Sequence, residues 1–218
     1  MISEVVTLRS SDGLELEGVL EMVGSPAATL LLCHPHPQMG GTMNAPLLVA
    51  LRDELVARRW AVLRFNFRGI GRSKGESGTG EAEISDVHAG LDLLRQRFSG
   101  LPLALGGWSF GAAVAMRVAC AGERLVACVA VAPAVTPKPG VTAGMPPAES
   151  CDISCPTLLV TGANDDQISP AACRAWAEQV PLAQYVELPG ANHFFWAKYE
   201  TLAATVTHFL DETLQKEA

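Results

Sequence analysis

Apolar residues alternate with polar ones or cluster from Val5 to Leu8 and again from Leu14 to Leu20, on either side of the turn-forming Ser11-Asp12-Gly13. A period of two broken by a turn predicts a two-stranded antiparallel hairpin. Beyond it the pattern changes. Short apolar runs at Thr29 to Cys33, Ala61 to Phe65, Leu101 to Leu105, Leu125 to Val131, Thr157 to Val160 and Gln184 to Leu188 read as strands. They alternate with longer stretches of helical spacing near Ala45 to Arg59, Glu81 to Phe98, Ala112 to Ala121, Pro170 to Gln179 and Lys198 to Leu214. Such alternation implies a parallel sheet with helices on both faces. The expected fold is therefore α/β, an eight-stranded, mostly parallel sheet flanked by helices, with the antiparallel hairpin at its amino-terminal end. Only the stretch between Ala134 and Cys155, which holds Pro137, Pro139, Gly140, Gly144, Pro146 and Pro147, lacks a period and reads as loop. No repeat or linker breaks the pattern, so residues 1–218 are expected to form one domain.

Composition narrows the class. A chain of 218 residues buries roughly 70% of the surface it exposes when unfolded, enough for a core without staples. The six cysteines (Cys33, Cys120, Cys128, Cys151, Cys155, Cys173) contain no Cys-x-x-Cys pair, and they are expected to be free thiols in a reducing compartment. Lys and Arg number 16 against 23 Asp and Glu, a net charge of −7 with no basic block, which argues against a nucleic-acid partner. The amino terminus lacks the basic lead and apolar core of a signal peptide, and no apolar run approaches the length of a membrane span. A cytoplasmic protein without membrane insertion is expected.

The chemistry is concentrated in three loops. Gly107-Trp108-Ser109-Phe110-Gly111 stands between an apolar run and a helical run, the strand-turn-helix context that a Gly-x-Ser-x-Gly elbow requires. Ser109 is the candidate nucleophile, and the positive end of the following helix faces its hydroxyl. The alternative, a plain helix-capping serine, accounts for Ser109 but not for glycine on both sides of the motif. An acid and then a histidine should follow, each after a later strand. Asn192-His193-Phe194 supplies the histidine, while His88 and His208 fall within helices. Asn164-Asp165-Asp166 supplies the acid. Neighbouring side chains point in different directions, so only one of the two can face His193. Asp165 is favoured, three residues after Gly162 and three before Ile168, with Asp166 the alternative.

Cys33-His34-Pro35-His36-Pro37 follows the third strand, where a second oxyanion-binding amide is expected. Pro35 and Pro37 have no N–H, which leaves His34 and His36 as donors, and His36 is better placed beyond the strand. Phe110 would give the first amide. Two histidines at i and i+2 also suggest a metal site, but no further cluster of His, Cys or Asp completes a ligand set, so neither metal nor cofactor is expected. The Gly69-Ile70-Gly71 loop is a weak match to a dinucleotide fingerprint, with its third glycine misplaced; it reads as a loop packed beside the catalytic strand.

Taken together, His34-Pro35-His36-Pro37 with Gly40-Gly41-Thr42-Met43, Arg64 to Gly69, the Ser109 elbow, the Asp165 loop and Asn192 to Phe195 resemble the α/β-hydrolase superfamily. In particular they resemble its small bacterial members without a lid, related to dienelactone hydrolases and carboxylesterases. The resemblance implies a triad of Ser109, Asp165 and His193, an oxyanion hole from His36 and Phe110, and a small-molecule ester as partner, with the chain a monomer or homodimer. Dienelactone hydrolases carry Cys in the elbow, and this chain has Ser109, a departure that argues against that reaction. Thioester or peptide cleavage uses the same machinery. A non-catalytic scaffold on the same fold would usually lack one of the three residues.

Overall fold

The computed structural model describes residues 1–217. Its strands are β1 (Ile2–Arg9), β2 (Glu15–Met22), β3 (Ala28–Cys33), β4 (Trp60–Phe65), β5 (Leu103–Trp108), β6 (Ala127–Val131), β7 (Thr157–Gly162) and β8 (Ala183–Leu188). Its helices are α1 (Pro46–Ala57), α2 (Glu83–Arg97), α3 (Phe110–Cys120), α4 (Pro170–Ala177) and α5 (Tyr199–Glu217). One sheet takes the strands in the order β1-β2-β4-β3-β5-β6-β7-β8. The hairpin pairs antiparallel with Val5 opposite Val19, β2 runs antiparallel to β4, and every pairing from β4 across to β8 is parallel.

The continuous apolar runs follow from this layering. Leu30 and Leu32 face α1 and α5, while Leu31 between them faces α2 and α3, so all three are buried. Each such side chain contributes about 1.5–3 kcal/mol relative to exposure. α4 lies beside α3 over Cys128, Ala130 and Leu159. β1, by contrast, has one solvated face, and only Val6 and Leu8 turn inward. Proline opens both α1 and α4, where its missing N–H leaves no helical bond unmade, and Ser169 caps α4 by accepting the Ala172 N–H at 3.2 Å.

Three expectations need correction. β5 begins at Leu103 and continues through Gly106-Gly107 to Trp108, past the predicted end at Leu105, because the two glycines hide the apolar pattern. The cysteines are not all free: Cys120, at the end of α3, is bonded to Cys151, and only Cys33, Cys128, Cys155 and Cys173 are free and buried. The partners lie 31 positions apart, and spacing alone does not reveal that proximity. The pairing also removes the thiol argument for a reducing compartment. The Gly69–Gly71 loop packs not beside β5 but against β2, with the Lys74 N–H donating to Glu15 O at 2.8 Å and the Glu17 N–H to Ser73 Oγ at 3.1 Å.

The irregular stretch has some order of its own, with Lys138 and Thr142 bridged across a tight turn and a single 3-10 turn at Ala148–Ser150. Among the described residues no helix is long and apolar enough to cross a membrane.

Candidate active site

The β5–α3 turn places Ser109 at φ 57° and ψ −115°, a left-handed conformation that costs a non-glycine residue about 1–3 kcal/mol. The surroundings hold it there. The Ser109 N–H donates to Val131 O at 2.8 Å, and Ser109 O accepts the N–H groups of Ala113 at 3.0 Å and Ala134 at 3.3 Å. Both elbow glycines are required by close approach. A Cβ on Gly107 would lie 2.6 Å from the Gly111 carbonyl, and one on Gly111 would lie 2.3 Å from His34 O. The elbow thus packs directly on the loop that follows β3.

His193 and Asp165 arrive from the loops after β8 and β7. The His193 ring bridges the other two residues, with Nε2 3.1 Å from Ser109 Oγ and Nδ1 2.8 Å from Asp165 Oδ2. Asp165 Oδ1 accepts the peptide N–H groups of Gln167 at 2.9 Å and Ile168 at 2.8 Å, so the carboxylate is held at both oxygens. Asp166 is exposed and plays no part. The two loops are locked together, since a Cβ on Gly162 would lie 2.4 Å from Ala191 O and the Asn164 N–H donates to that oxygen at 2.8 Å. Trp108 Nε1 donates to His193 O at 3.2 Å and ties the histidine back to β5. With Nδ1–H donated to a carboxylate, Nε2 presents its lone pair to a hydroxyl, which is the arrangement for drawing off a proton.

The loop after β3 is fixed by polar groups at the end of β4. Burial lowers the His34 ring to about 4, so it is neutral near pH 7. Its Nδ1–H donates to Pro35 O at 2.7 Å, and its Nε2 accepts the Phe67 N–H at 3.0 Å. His36 Nε2 lies 3.0 Å from Val141 O and joins this loop to the irregular stretch. Neither the His36 N–H nor the Phe110 N–H donates to another group among the described residues, so both amides beside Ser109 are unspent. Among those residues no group of three or more His, Cys, Asp or Glu converges as a metal would require.

Sequence reasoning missed the role of Arg64 and Asn66. Asn66 Oδ1 accepts the Met43 N–H at 2.8 Å, while the Arg64 guanidinium donates to Met43 O, so a single residue of the loop is gripped at both its N–H and its carbonyl. Arg64 in turn pairs with buried Glu21 at 2.7 Å, and Asn66 donates to Glu17 at 2.5 Å. Two residues further on, Arg68 pairs with fully buried Asp86 at 2.6 Å and with Asp12 at 2.8 Å. The signal available was polar residues at every second position, Arg64, Asn66 and Arg68, leaving an otherwise apolar strand.

Ser109 sits between two cavities that share His36, Met39 and Gln167. One, of about 390 Å³, adjoins Phe110 and is walled by Val135, Lys138, Val141, Ile168 and Ala172. The other, of about 290 Å³, adjoins His193 and is walled by Trp108, Phe194, Pro35 and Pro46. Phe195 is instead buried in the core, while Trp196 is exposed and stacked on Phe194.

Residues 24–151 match the family model described as serine aminopeptidase, S33, more than half of the chain. The chain belongs to this family of α/β serine hydrolases. The matched span contains the Ser109 elbow and ends before Asp165 and His193. The uncharacterized protein RP471 of Rickettsia prowazekii is 31% identical over 205 residues, covering 89% of this chain and 84% of its own length. XC6422 of Xanthomonas campestris, a solved serine hydrolase without a lid, aligns with a TM-score of 0.84 and 27% identity over 96% of this chain and 94% of its own. An α/β serine hydrolase homologue from Coxiella burnetii gives 0.84 and 29%, over 95% and 97%. In this lidless hydrolase the stretch between β6 and β7 serves as cavity wall, contributing Val135, Thr136, Lys138, Val141 and Thr142.

Proposed function

We propose that this serine hydrolase cleaves small carboxylic esters through an acyl-Ser109 intermediate. The observation that carries the reading is the unbroken chain from Asp165 through His193 to Ser109, with links of 2.8 and 3.1 Å. Ser109 Oγ attacks the ester carbonyl carbon as its proton passes to His193 Nε2, and Asp165 stabilises the imidazolium. The negative oxygen of the tetrahedral intermediate is received by the N–H groups of Phe110 and His36, each worth about 10²- to 10³-fold in rate. When the C–O bond to the alcohol breaks, His193 gives the alcohol its proton. Water then attacks the acyl carbon, His193 takes a proton from it, and the acid leaves as Ser109 regains its hydrogen.

The family's description favours a second reading, release of an amino-terminal residue from a peptide. That substrate carries an ammonium beside the scissile bond and calls for a carboxylate nearby, yet neither cavity at Ser109 is lined by Asp or Glu. Ester substrates carry no such demand. Labelling by a fluorophosphonate probe, abolished in Ser109→Ala and strongly reduced in His193→Ala, tests the nucleophile; a panel of aryl esters, acyl thioesters and aminoacyl anilides tests the class. A folded wild-type protein that takes no label refutes the enzyme reading, and aminoacyl anilides cleaved faster than esters refute ester preference.

A further inference from the structure

We infer that the cavity beside Phe110 is an acyl subsite for short chains ending in a carboxylate, with Lys138 as the residue that reads the charge. The inference rests on the ester reading and adds the substrate class. His193 must hand its proton to the departing alcohol, so the alcohol portion lies in the cavity on the His193 side. The acyl chain then runs the other way, into the cavity walled by Phe110, Val135, Val141, Ile168 and Ala172. Those walls are apolar and suit methylene groups. Lys138 is the one Lys, Arg, Asp or Glu among the lining residues.

Lys138 is exposed, and two features set it apart from the other surface charges. The chain carries net charge −7 and holds just four lysines (Lys74, Lys138, Lys198 and Lys216), so a cavity beside the nucleophile with a cation and no acid stands against the average of the molecule. Every ion pair among the described residues uses Arg or His, which leaves Lys138 without a carboxylate partner. Its backbone is also fixed. Proline flanks it on both sides, and its N–H donates to Thr142 O at 2.8 Å while its carbonyl accepts the Thr142 and Val141 N–H groups, each at 2.9 Å. The turn is moored to the loop after β3 through His36 and Val141 O, and to Thr79 O through the Ala143 N–H at 2.7 Å. The fixed turn sets where the Lys138 side chain leaves the backbone, at the cavity wall.

The test compares kcat/KM, by titration of released acid, for monoethyl succinate, glutarate and adipate against neutral ethyl esters of matched chain length. We expect the ratio of half-ester to neutral ester to fall roughly tenfold in Lys138→Met, the scale of one charge-assisted hydrogen bond, and further in Lys138→Glu. Lys216→Met, which makes the same charge change at the far end of α5, should leave the ratio unaltered, and added salt should shrink the wild-type preference. A ratio indifferent to residue 138, with both ester types cleaved, overturns the subsite inference alone. A wild-type protein that cleaves no ester overturns the ester reading and this inference with it.

Discussion

Asp165→Asn changes the partner of His193 while sparing the loop that carries it. Asp165 Oδ1 is committed to the N–H groups of Gln167 and Ile168, and Oδ2 to His193 Nδ1. In the amide, the carbonyl oxygen must keep the two peptide donors, which turns the NH₂ group toward the ring. An amide nitrogen only donates. Nδ1 therefore has to accept, the ring proton moves to Nε2, and the lone pair that faced Ser109 Oγ at 3.1 Å is gone. A wrong tautomer of this kind lowers kcat by about 10⁴, or about 5 kcal/mol in barrier. Because the loop's hydrogen bonds survive, the stability change should stay within about 1 kcal/mol. Ester turnover and the rate of fluorophosphonate labelling measure the first quantity, and denaturant unfolding the second. Asp166→Asn, in an exposed side chain, should retain nearly full activity. Activity of Asp165→Asn within tenfold of wild type, or an equal loss in Asp166→Asn, would refute the tautomer reasoning.

Burial lowers the His34 ring to about 4, so between the ordinary value of 6.5 and about 4 the unfolded chain binds a proton that the folded chain refuses. Stability is whole above about 6.5 and falls as pH drops through that window, by on the order of 3 kcal/mol. Urea unfolding at pH 7 and 4.5 should show a steeper loss in wild type than in His34→Gln; equal losses would count against it. Denatured, unreduced protein should titrate as four thiols, and Cys151→Ala should cost roughly 3–4 kcal/mol for a loop spanning 31 positions. Six titratable thiols would contradict the pairing. Gly111→Ala drives a Cβ to 2.3 Å from His34 O, so we expect a destabilisation of about 1–3 kcal/mol and loss of Ser109 labelling. Full labelling in that variant would show that the elbow tolerates more room than its contacts suggest.

The layered sheet was legible because its evidence is local: Leu30, Leu31 and Leu32 are apolar whichever face each one takes. Spacing also singled out Ser109, Asp165 and His193, and the physical basis for preferring Asp165 is a turn in which one carboxylate oxygen caps the peptides two and three residues on. What escaped depends on contacts between distant segments. Arg64 and Asn66 find their acids in Glu21 and Glu17, 43 and 49 positions earlier, and the polar alternation that marks the two residues does not point to those partners. Cys120 and Cys151 meet only because the irregular stretch folds back on α3. The cavities are shapes formed by several loops at once, so the place of Lys138 beside Ser109 becomes visible only in three dimensions.

The charged groups beneath the loop after β3 bear on how this scaffold can be altered. Glu21 is shared by Arg64 and Arg52, and Arg68 by Asp86 and Asp12, so deleting Glu21 strands buried Arg64 and deleting Arg68 strands buried Asp86, each at about 3–5 kcal/mol. Changing a whole set together for apolar residues of equal volume escapes that penalty. These positions should consequently be inherited as blocks in descendants of a common ancestor. Anyone grafting the Gly40–Ala45 segment onto another hydrolase would have to carry Glu17, Glu21, Arg64 and Asn66 along with it, or the transplanted loop would lose the hold on Met43 that keeps it in place.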